Sequence, residues 1–172
     1  MRQQGGFSLV EMVIVMVLAG LLITASVVYA LPWFGREDMR GAVYDVQTYL
    51  QLTKIQAVTR NRSCQFRVDA GNRRLSVVDL NDISTSSDDV ELSTVTLPST
   101  VSFADPSGGT PITLALISGT TYQATFDSDG SVSAGAGVVS LVGGSKYSRL
   151  TLFAAGGMRT ETWDGSAWRT GT

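Results

Sequence analysis

The sequence predicts an α+β protein in which one long N-terminal α-helix packs against a head of antiparallel β-sheet. The first observation is helical: an apolar run at 7–31 is followed by an amphipathic run at 36–60. The second is a change from Cys64 onward, where short apolar or alternating segments are separated by Gly, Pro and Asp turns. Helices and strands in separate parts of a chain favour an α+β arrangement over alternating α/β units.

The composition excludes several functional classes. The chain has 172 residues, a length that fits one domain with an appended segment. It contains one cysteine, Cys64, and no histidine, so an internal disulfide is excluded, as are a Cys/His zinc site and an imidazole-based catalytic triad. No nucleophile–base pair or cofactor loop is evident. The sequence therefore predicts a non-enzymatic protein with no cofactor and no metal.

The apolar run at 7–31 predicts a membrane-spanning helix. A run of this length spans roughly 37 Å as a helix, enough to cross a hydrocarbon core of about 30 Å. A secretory signal peptide is disfavoured, because its apolar core would be shorter and its small-residue cut site would follow that core. Here the pair Gly5-Gly6 precedes the run. Arg2 predicts that the short leader stays in the cytoplasm.

Glu11 is the one charged residue between Phe7 and Leu31. A carboxylate at the centre of a spanning helix costs on the order of 2.5–3.5 kcal/mol on insertion scales, so such residues usually have a partner and a role. A cut between Gly6 and Phe7 would create an α-amino group one helical turn from Glu11, on the same chain or a neighbouring one. The first turn also lies at the positive end of the helix dipole. An uncut anchor whose Glu11 reaches the membrane interface is the alternative.

The next segment predicts an amphipathic helix from about Arg36 to Arg60, ending near Asn61. Its apolar stripe has spacings of three and four residues, and consists of Met39, Val43, Val46, Leu50, Thr53 and Ala57. Pro32, between the two halves, predicts a kink or loosened turn because it lacks a backbone N–H. Gly20 predicts a second break by its low helix propensity, and close packing between neighbouring helices is an equal explanation for it.

Short strands follow the helix. The segments "CQFRVDA" (64–70) and "RRLSVVDL" (73–80) predict a β-hairpin with a turn at "AGN", and the polar stretch 81–93 predicts a surface loop. The remaining strand candidates are 94–97, 101–104, 112–117, 122–126, 138–142, 149–154 and 158–163. We expect these strands to form a largely antiparallel head that packs on the apolar stripe of the helix.

The charges are distributed in bands. Residues 36–74 contain eight basic and four acidic residues, residues 75–145 contain eight acidic and no basic residues, and residues 146–172 contain four basic and two acidic residues. Complementary bands predict a subunit that docks head to flank in an assembly. Unconnected surface charge exposed to solvent is the alternative.

The stretch "GGFSLVEM" (5–12) resembles the class III leader site of type IV pilins and type II secretion pseudopilins. The resemblance implies that a prepilin peptidase cuts after Gly6 and methylates the amine of Phe7. It also implies that Glu11 is the family's glutamate, which pairs with the Phe7 amine of an adjacent subunit. The implied organisation is a leader at 1–6, a transmembrane and assembly helix at 7–31, an amphipathic helix at 32–61 and a β-rich periplasmic head at 62–172.

Three later stretches are similar to the GspH/FimT branch of minor pseudopilins and minor pilins: "LQLTKIQAVTRNRSCQFRVD", "TFDSDGSVS" and "LTLFAAGGMRTETWDG". This similarity implies a pilin-like fold and a structural subunit of a type II secretion pseudopilus. Such a subunit is a single-pass protein of the bacterial inner membrane, with other pseudopilins and the prepilin peptidase as partners. The alternative is a minor type IV pilin that serves pilus assembly or DNA uptake.

Two acidic stretches of the head are candidate cation sites. The turn "DSDG" (127–130) begins like a calcium loop but lacks the third acid and the distal glutamate, so a plain hairpin turn is favoured. The second stretch comprises Asp82, Asp88, Asp89 and Glu91. A solvated loop is favoured there over a cation site.

A C-terminal basic cluster is a candidate DNA contact. It comprises Lys146, Arg149, Arg159 and Arg169, with Tyr147, Trp163 and Trp168 nearby in sequence. Cations for phosphates and rings for base stacking are the ingredients of a nucleic-acid surface. The resemblance to FimT-type pilins, which bind DNA with C-terminal arginines, makes Arg159 the nearest counterpart. Packing at a strand edge is the favoured alternative, and Cys64 is predicted to fill a core position.

Overall fold

The computed structural model describes residues 8–81 and 88–170; at 27–36 it describes the backbone but not the side chains. The chain forms two compact units, Met1–Phe34 and Gly35–Thr172. The predicted change from the membrane helix (7–31) to the amphipathic helix (32–61) falls close to this division.

Helix α1 runs without interruption over Leu9–Arg60. The backbone is helical at both Gly20 and Pro32, which corrects the predicted helix break. A proline removes one hydrogen bond, but extending a helix that is already formed is favourable on either side of it. A bend of the axis at Pro32 stays a prediction. At Gly20 an added Cβ would meet nothing within 4 Å, so packing within the described chain does not require a glycine there.

The C-terminal end of α1 lies where the sequence predicts it. Asn61 adopts a left-handed conformation with φ of 52°, as is common for the residue that follows a helix. The Arg62 amide donates to the carbonyl of Ala57 at 3.2 Å, which satisfies a carbonyl of the last turn. The chain can therefore turn directly from the helix into the first strand.

Eleven strands follow α1 in the described residues: β1 (Cys64–Asp69), β2 (Arg74–Asp79), β3 (Val90–Thr96), β4 (Val101–Phe103), β5 (Ala115–Ser118), β6 (Thr121–Phe126), β7 (Val132–Ala134), β8 (Gly137–Gly143), β9 (Lys146–Leu152), β10 (Met158–Trp163) and β11 (Trp168–Thr170). They form two antiparallel sheets. Sheet A has the order β3-β2-β1-β6-β5, with β7 also paired to β6, and sheet B has the order β11-β10-β9-β8-β4.

Several predicted strands are confirmed. β1 and β2 form the expected hairpin, with Cys64 opposite Asp79 and Asp69 opposite Arg74. β6, β8 and β10 agree with the predictions at 122–126, 138–142 and 158–163 to within one residue at each end. Together with α1, these sheets confirm the predicted α+β fold.

Other strand predictions were wrong at their ends or incomplete. β3 begins at Val90, inside the predicted loop 81–93, because this polar segment pairs with β2 as an exposed edge strand. β5 begins at Ala115 rather than at 112, because Ile112 instead bridges to Val139 of sheet B, where the chain crosses between the sheets. β9 covers Lys146–Leu152 rather than 149–154. β7 and β11, three residues each, were not predicted, since such short strands show no periodicity.

One apolar core lies between α1 and both sheets. Phe66 and Phe126 of sheet A and Leu150 of sheet B belong to the same buried cluster as the inner face of the helix. That face consists of Met39, Ala42, Val46, Leu50, Thr53 and Ala57. It matches the predicted stripe except that Ala42 is buried where Val43 was expected. Cys64 is fully buried, as predicted.

Candidate functional site

The first part of α1 is an exposed apolar segment. Residues Leu9–Ser26 are long and apolar enough to cross a membrane, and none of them is buried within the described chain. The hydroxyls of Thr24 and Ser26 donate at 2.8 Å to the carbonyls of Gly20 and Leu22, one turn earlier. These two polar groups therefore need no partner in an apolar environment. The segment agrees with the predicted membrane helix.

Glu11 lies in the first turn of this segment and is exposed. Ser8 immediately precedes the helix, and its carbonyl accepts a hydrogen bond from the Met12 amide at 3.2 Å. The next basic residue along the sequence is Arg36.

The residues around Glu11 include a second signal that the sequence interpretation missed. Ser8 and Glu11 have the Ser-x-x-Glu spacing of a capping box, in which the glutamate side chain accepts a hydrogen bond from the backbone at the start of the helix. Its position therefore suits the Glu11 carboxylate to either of two uses: capping its own helix, or pairing with an amine. The predicted cut between Gly6 and Phe7 lies outside the described residues, so the ion pair between Phe7 and Glu11 stays a prediction.

The head half of α1 has a second exposed surface, which we call the outer stripe. It consists of Gly41, Tyr44, Thr48, Gln51, Ile55 and Val58. These residues recur at spacings of three and four and contain no charge, and Tyr44, Ile55 and Val58 are about half exposed or more. An uncharged stripe with helical spacing is suited to packing against another helix.

Arg149 is engaged inside the head. Its Nε donates to Oε2 of the buried Glu161 at 2.8 Å. Its guanidinium carbon lies 4.4 Å from the ring centroid of Trp168, and Trp168 packs edge-to-face against Trp163 with ring centroids 5.4 Å apart. The predicted cation and rings are thus brought together, but they satisfy one another.

The other two arginines proposed for DNA also have carboxylate partners. Arg159 lies 3.6 Å from Glu161, the same residue that holds Arg149. Arg169 donates to Asp164 at 2.6 Å. This arginine and the turn amides of Ala167 and Ser166 hold the pKa of the Asp164 carboxyl well below its usual range. These contacts favour the packing interpretation of the basic cluster over DNA contact.

The acidic stretch around 82–91 binds arginines of the head. Asp89 accepts a hydrogen bond from Arg67 at 2.6 Å, and Glu91 accepts one from Arg74 at 2.5 Å. Asp89 is largely buried, so the expectation of a solvated loop is wrong for this residue. Asp82 lies outside the described residues. Within 8–81 and 88–170, no group of three His, Cys, Asp or Glu residues could hold a metal ion.

The "DSDG" segment is a hairpin turn between β6 and β7, as predicted. The Gly130 amide donates to the carbonyl of Asp127 at 2.9 Å, and the Asp127 amide donates to the carbonyl of Ser131 at 2.9 Å. The Asp127 carboxylate accepts hydrogen bonds from the hydroxyls of Ser63 and Ser133 at 2.9 Å. Oδ1 of Asp127 therefore stabilises the turn through these two hydroxyls.

Lys54 connects α1 with two glycine turns, a role that sequence reasoning missed. Its Nζ donates to the carbonyl of Gly156 at 3.0 Å. A Cβ on Gly130 would lie 2.9 Å from the Lys54 Cε, and a Cβ on Gly156 would lie 2.0 Å from the Gly130 carbonyl oxygen. The turns in "DSDG" and "AAGG" therefore require glycine because the helix and the two turns meet there.

Asp79 holds the C-terminal end of α1 against sheet A. This buried carboxylate accepts a hydrogen bond from Arg60 at 2.6 Å, and Arg62 lies 3.9 Å away. The Sγ of Cys64 is 4.0 Å from its Oδ1. Burial, together with the charge of Asp79, raises the pKa of the Cys64 thiol to about 11, so this cysteine stays a thiol at neutral pH.

Comparison with protein families gives two matches. The model described as "Prokaryotic N-terminal methylation motif" matches residues 1–27. The model described as "Type II transport protein GspH" matches residues 42–156, which is more than half of the chain. A comparison with curated protein sequences finds no match.

Two solved structures have the same fold. The minor pseudopilin EpsH from the type 2 secretion system of Vibrio cholerae is 18% identical, with a TM-score of 0.51, and the match covers 72% of this chain and 95% of EpsH. The type IV minor pilin FimU of Pseudomonas aeruginosa is 14% identical, with a TM-score of 0.52, and the match covers 77% of this chain and 93% of FimU. At these identities the likeness shows the fold alone.

Proposed function

The chain belongs to the type II transport protein GspH family, and we propose that it is a structural minor pseudopilin of a type II protein secretion system. The GspH match across most of the head carries this proposal. In it, the first part of α1 anchors the protein in the bacterial inner membrane and the head lies in the periplasm. The protein then joins other pseudopilins in a periplasmic pseudopilus and contributes packing surfaces rather than catalysis.

Processing precedes assembly in this proposal. The methylation motif match at 1–27 includes Gly6, Phe7 and Glu11. A prepilin peptidase would cut after Gly6 and methylate the new amine of Phe7. The cut removes Arg2 and places a cation four residues from Glu11, the spacing at which two side chains on one helix face meet.

Assembly must cover the surfaces that α1 exposes. Each buried CH₂ group is worth about 0.8 kcal/mol, so an apolar segment such as Leu9–Ser26 cannot leave the bilayer unless neighbouring helices replace the lipid. Glu11 must leave with it, and an unpaired charge in an apolar core is strongly destabilising. Pairing with the Phe7 amine of an adjacent subunit removes that penalty, and the outer stripe offers the head half of α1 a further helix contact.

Deletion of the gene in its native host tests the proposal. We expect substrates of type II secretion to disappear from the culture medium and to accumulate in the periplasm. The wild-type gene supplied in trans should restore secretion, and pilus-dependent motility should be unaffected. Normal secretion by the deletion strain would contradict the proposed function.

A minor type IV pilin, acting in pilus assembly or DNA uptake, is the second candidate. The fold supports it as well as it supports a pseudopilin, because the TM-scores to FimU and EpsH are 0.52 and 0.51. The same deletion strain separates the two roles. Loss of motility or of transformation with normal secretion would favour the pilin.

Processing is tested independently of either machine. We predict that Gly6→Val leaves the six-residue leader attached, because the peptidase would recognise the residue immediately before the cut. Gly5→Val is the matched control, since it changes the neighbouring glycine but leaves Gly6 in place. Intact-mass spectrometry of the membrane protein measures the outcome, and a trimmed N-terminus in Gly6→Val would place the cut elsewhere.

A further inference from the structure

Strand β5 forms one end of sheet A and carries exposed aliphatic side chains. It pairs with β6 on one side, and the order of sheet A ends with it on the other. Leu116 is 60% exposed and Ile117 is 44% exposed. The outer edge of such a strand presents backbone N–H and C=O groups that are ready to pair with another strand.

The strand register places Leu116 on the core side of sheet A. Leu116 lies opposite Tyr122, and Tyr122 lies opposite Val68. Val68 shares its face with Phe66, since alternate residues of a strand point to the same side. Both Val68 and Phe66 are fully buried. The apolar layer of the core therefore extends to the edge of the sheet and is left uncovered at Leu116.

The β5 edge carries no charged side chain. Residues 110–126 contain no charged side chain. The end strands β3 and β11 differ, because they contain the charged residues Glu91 and Arg169. Charges on an edge strand are one means by which soluble proteins prevent unwanted strand pairing. The exposed aliphatics and the lack of charge together make this edge suited to pairing with another strand.

We propose that β5 is a docking edge for an extended, uncharged strand from the head of a neighbouring pilin-like subunit. The added strand would continue sheet A and cover Leu116. This proposal rests on the proposed function, because it needs an assembly that brings a second head close. The partner strand is uncharged because β5 offers no counter-charge, and a charge buried there would be unpaired.

The short length of β5 argues against a free homodimer. The strand covers four residues, Ala115–Ser118, and its register to β6 shifts between Leu116 and Ser118. A stable protein interface buries about 800 Å² per partner, more than so short an edge provides. A contact of this size is effective when another contact holds the partners together. In a polar filament, moreover, the contact is heterologous, so β5 meets a different surface rather than another β5.

Site-specific photo-crosslinking of the full chain in its native host tests the proposal. A photo-reactive residue is placed at Ser118 on β5, or at Tyr44 on the outer stripe as a reference. We expect both positions to crosslink to pilin-like subunits, and mass spectrometry should map the Ser118 product to a strand of the partner's head. A Tyr44 product without a Ser118 product would overturn the docking edge and leave the assembly role intact. Absence of both would contradict the proposed function itself, and a crosslink between two β5 strands would also overturn the proposal.

A charge on β5 provides the second arm of the experiment. Leu116→Lys should reduce the Ser118 crosslink at least about tenfold, because covering one aliphatic side chain contributes enough free energy to change an equilibrium by that factor. The matched control is Val90→Lys on the opposite end strand, β3, where the side chain is 47% exposed. Equal yields in the two variants would overturn the proposal. If Leu116→Lys melts below the control in detergent, Ile117→Lys takes its place.

Discussion

Two roles are proposed for Glu11, and a substitution can separate them. Glutamine also serves at the third position of a capping box, so Glu11→Gln keeps the cap and removes the charge. We predict that Glu11→Gln is processed normally but enters the pseudopilus poorly, because the Phe7 amine of the adjacent subunit loses its counter-ion. Sheared pseudopili, quantified against the membrane fraction, measure incorporation. Normal incorporation of Glu11→Gln together with poor incorporation of Ser8→Ala would show that capping is the important role.

Asp45 is a second residue whose substitution leads to a prediction, here a change in stability that depends on pH. It lies on α1, and partial burial raises the pKa of its carboxyl. A native pKa above the unfolded value means that the ionised carboxylate disfavours the folded state at neutral pH, and that this penalty disappears as the pH falls below the unfolded pKa. We predict that Asp45→Asn raises Tm at neutral pH, and that the difference from wild type closes as the pH approaches 4.

The control for Asp45 is another acid on the same helix. Asp38 accepts a hydrogen bond from the Thr100 hydroxyl at 2.7 Å, which an asparagine oxygen can also accept. Asp38→Asn should therefore show no comparable stabilisation at neutral pH. Thermal melts of the full chain in detergent at several pH values make the comparison. A constant offset between Asp45→Asn and wild type across that range would contradict the explanation by burial.

At the scale of elements, the contact between α1 and the two glycine turns fixes how the helix meets the head. Gly156 has a φ of 73°, and a Cβ there would lie 2.0 Å from the Gly130 carbonyl oxygen. Gly144 has a similar φ of 61° but open space around it. We predict that Gly144→Ala lowers the free energy of unfolding by only about 1–2 kcal/mol, which is the cost of placing a residue with a Cβ in a left-handed conformation. Gly156→Ala should lower the free energy of unfolding by clearly more. Chemical denaturation of both variants measures the difference, and equal costs would contradict the close approach.

Much of the element structure could be predicted because its signals are local. Helical periodicity marks α1 through to Arg60, and two alternating segments around a Gly-Asn turn mark the β1–β2 hairpin. The first four residues of β3 and the whole of β7 and β11 were not predicted, because their formation depends on pairing with other strands rather than on their own sequence pattern. β5 was placed too early because Ile112 resembles a strand residue and yet bridges to the other sheet.

The residues of the candidate site also divide into those that local sequence patterns reveal and those whose contacts form only in the folded structure. The leader motif around Gly6 and the carboxylate of Glu11 are contiguous in sequence, so local reasoning was able to find them. The partners of Arg149 and Lys54 were hidden, because Glu161 and Gly156 approach them only when β9, β10 and the helix are assembled. A charge pattern indicates which residue types are present, but not which side chain is already neutralised by another.

At the scale of the whole molecule, the charge bands meet inside the head. Arginines of the basic band bind carboxylates of the acidic band in the pairs Arg60–Asp79, Arg67–Asp89 and Arg74–Glu91. Part of the charge that the sequence assigned to docking between subunits is therefore used within one subunit. Three surfaces that we propose for contact with neighbours are uncharged apart from Glu11: the first part of α1, the outer stripe and the β5 edge.

The same neutralisation leads to a prediction about DNA. Arg149 and Arg159 share the carboxylate of Glu161. Binding to DNA requires cations that can neutralise its phosphates and so release the counter-ions condensed on the DNA. We predict that the full chain in detergent shows little retardation of DNA in gel-shift assays, and that Arg159→Ala changes nothing. Glu161→Gln removes the negative charge that both guanidinium groups share, so it should increase DNA binding. The salt dependence of binding should steepen by the amount expected for about one to two more phosphate contacts. Strong binding by the wild type that Arg159→Ala abolishes would instead assign the C-terminal arginines to DNA uptake and favour the type IV pilin.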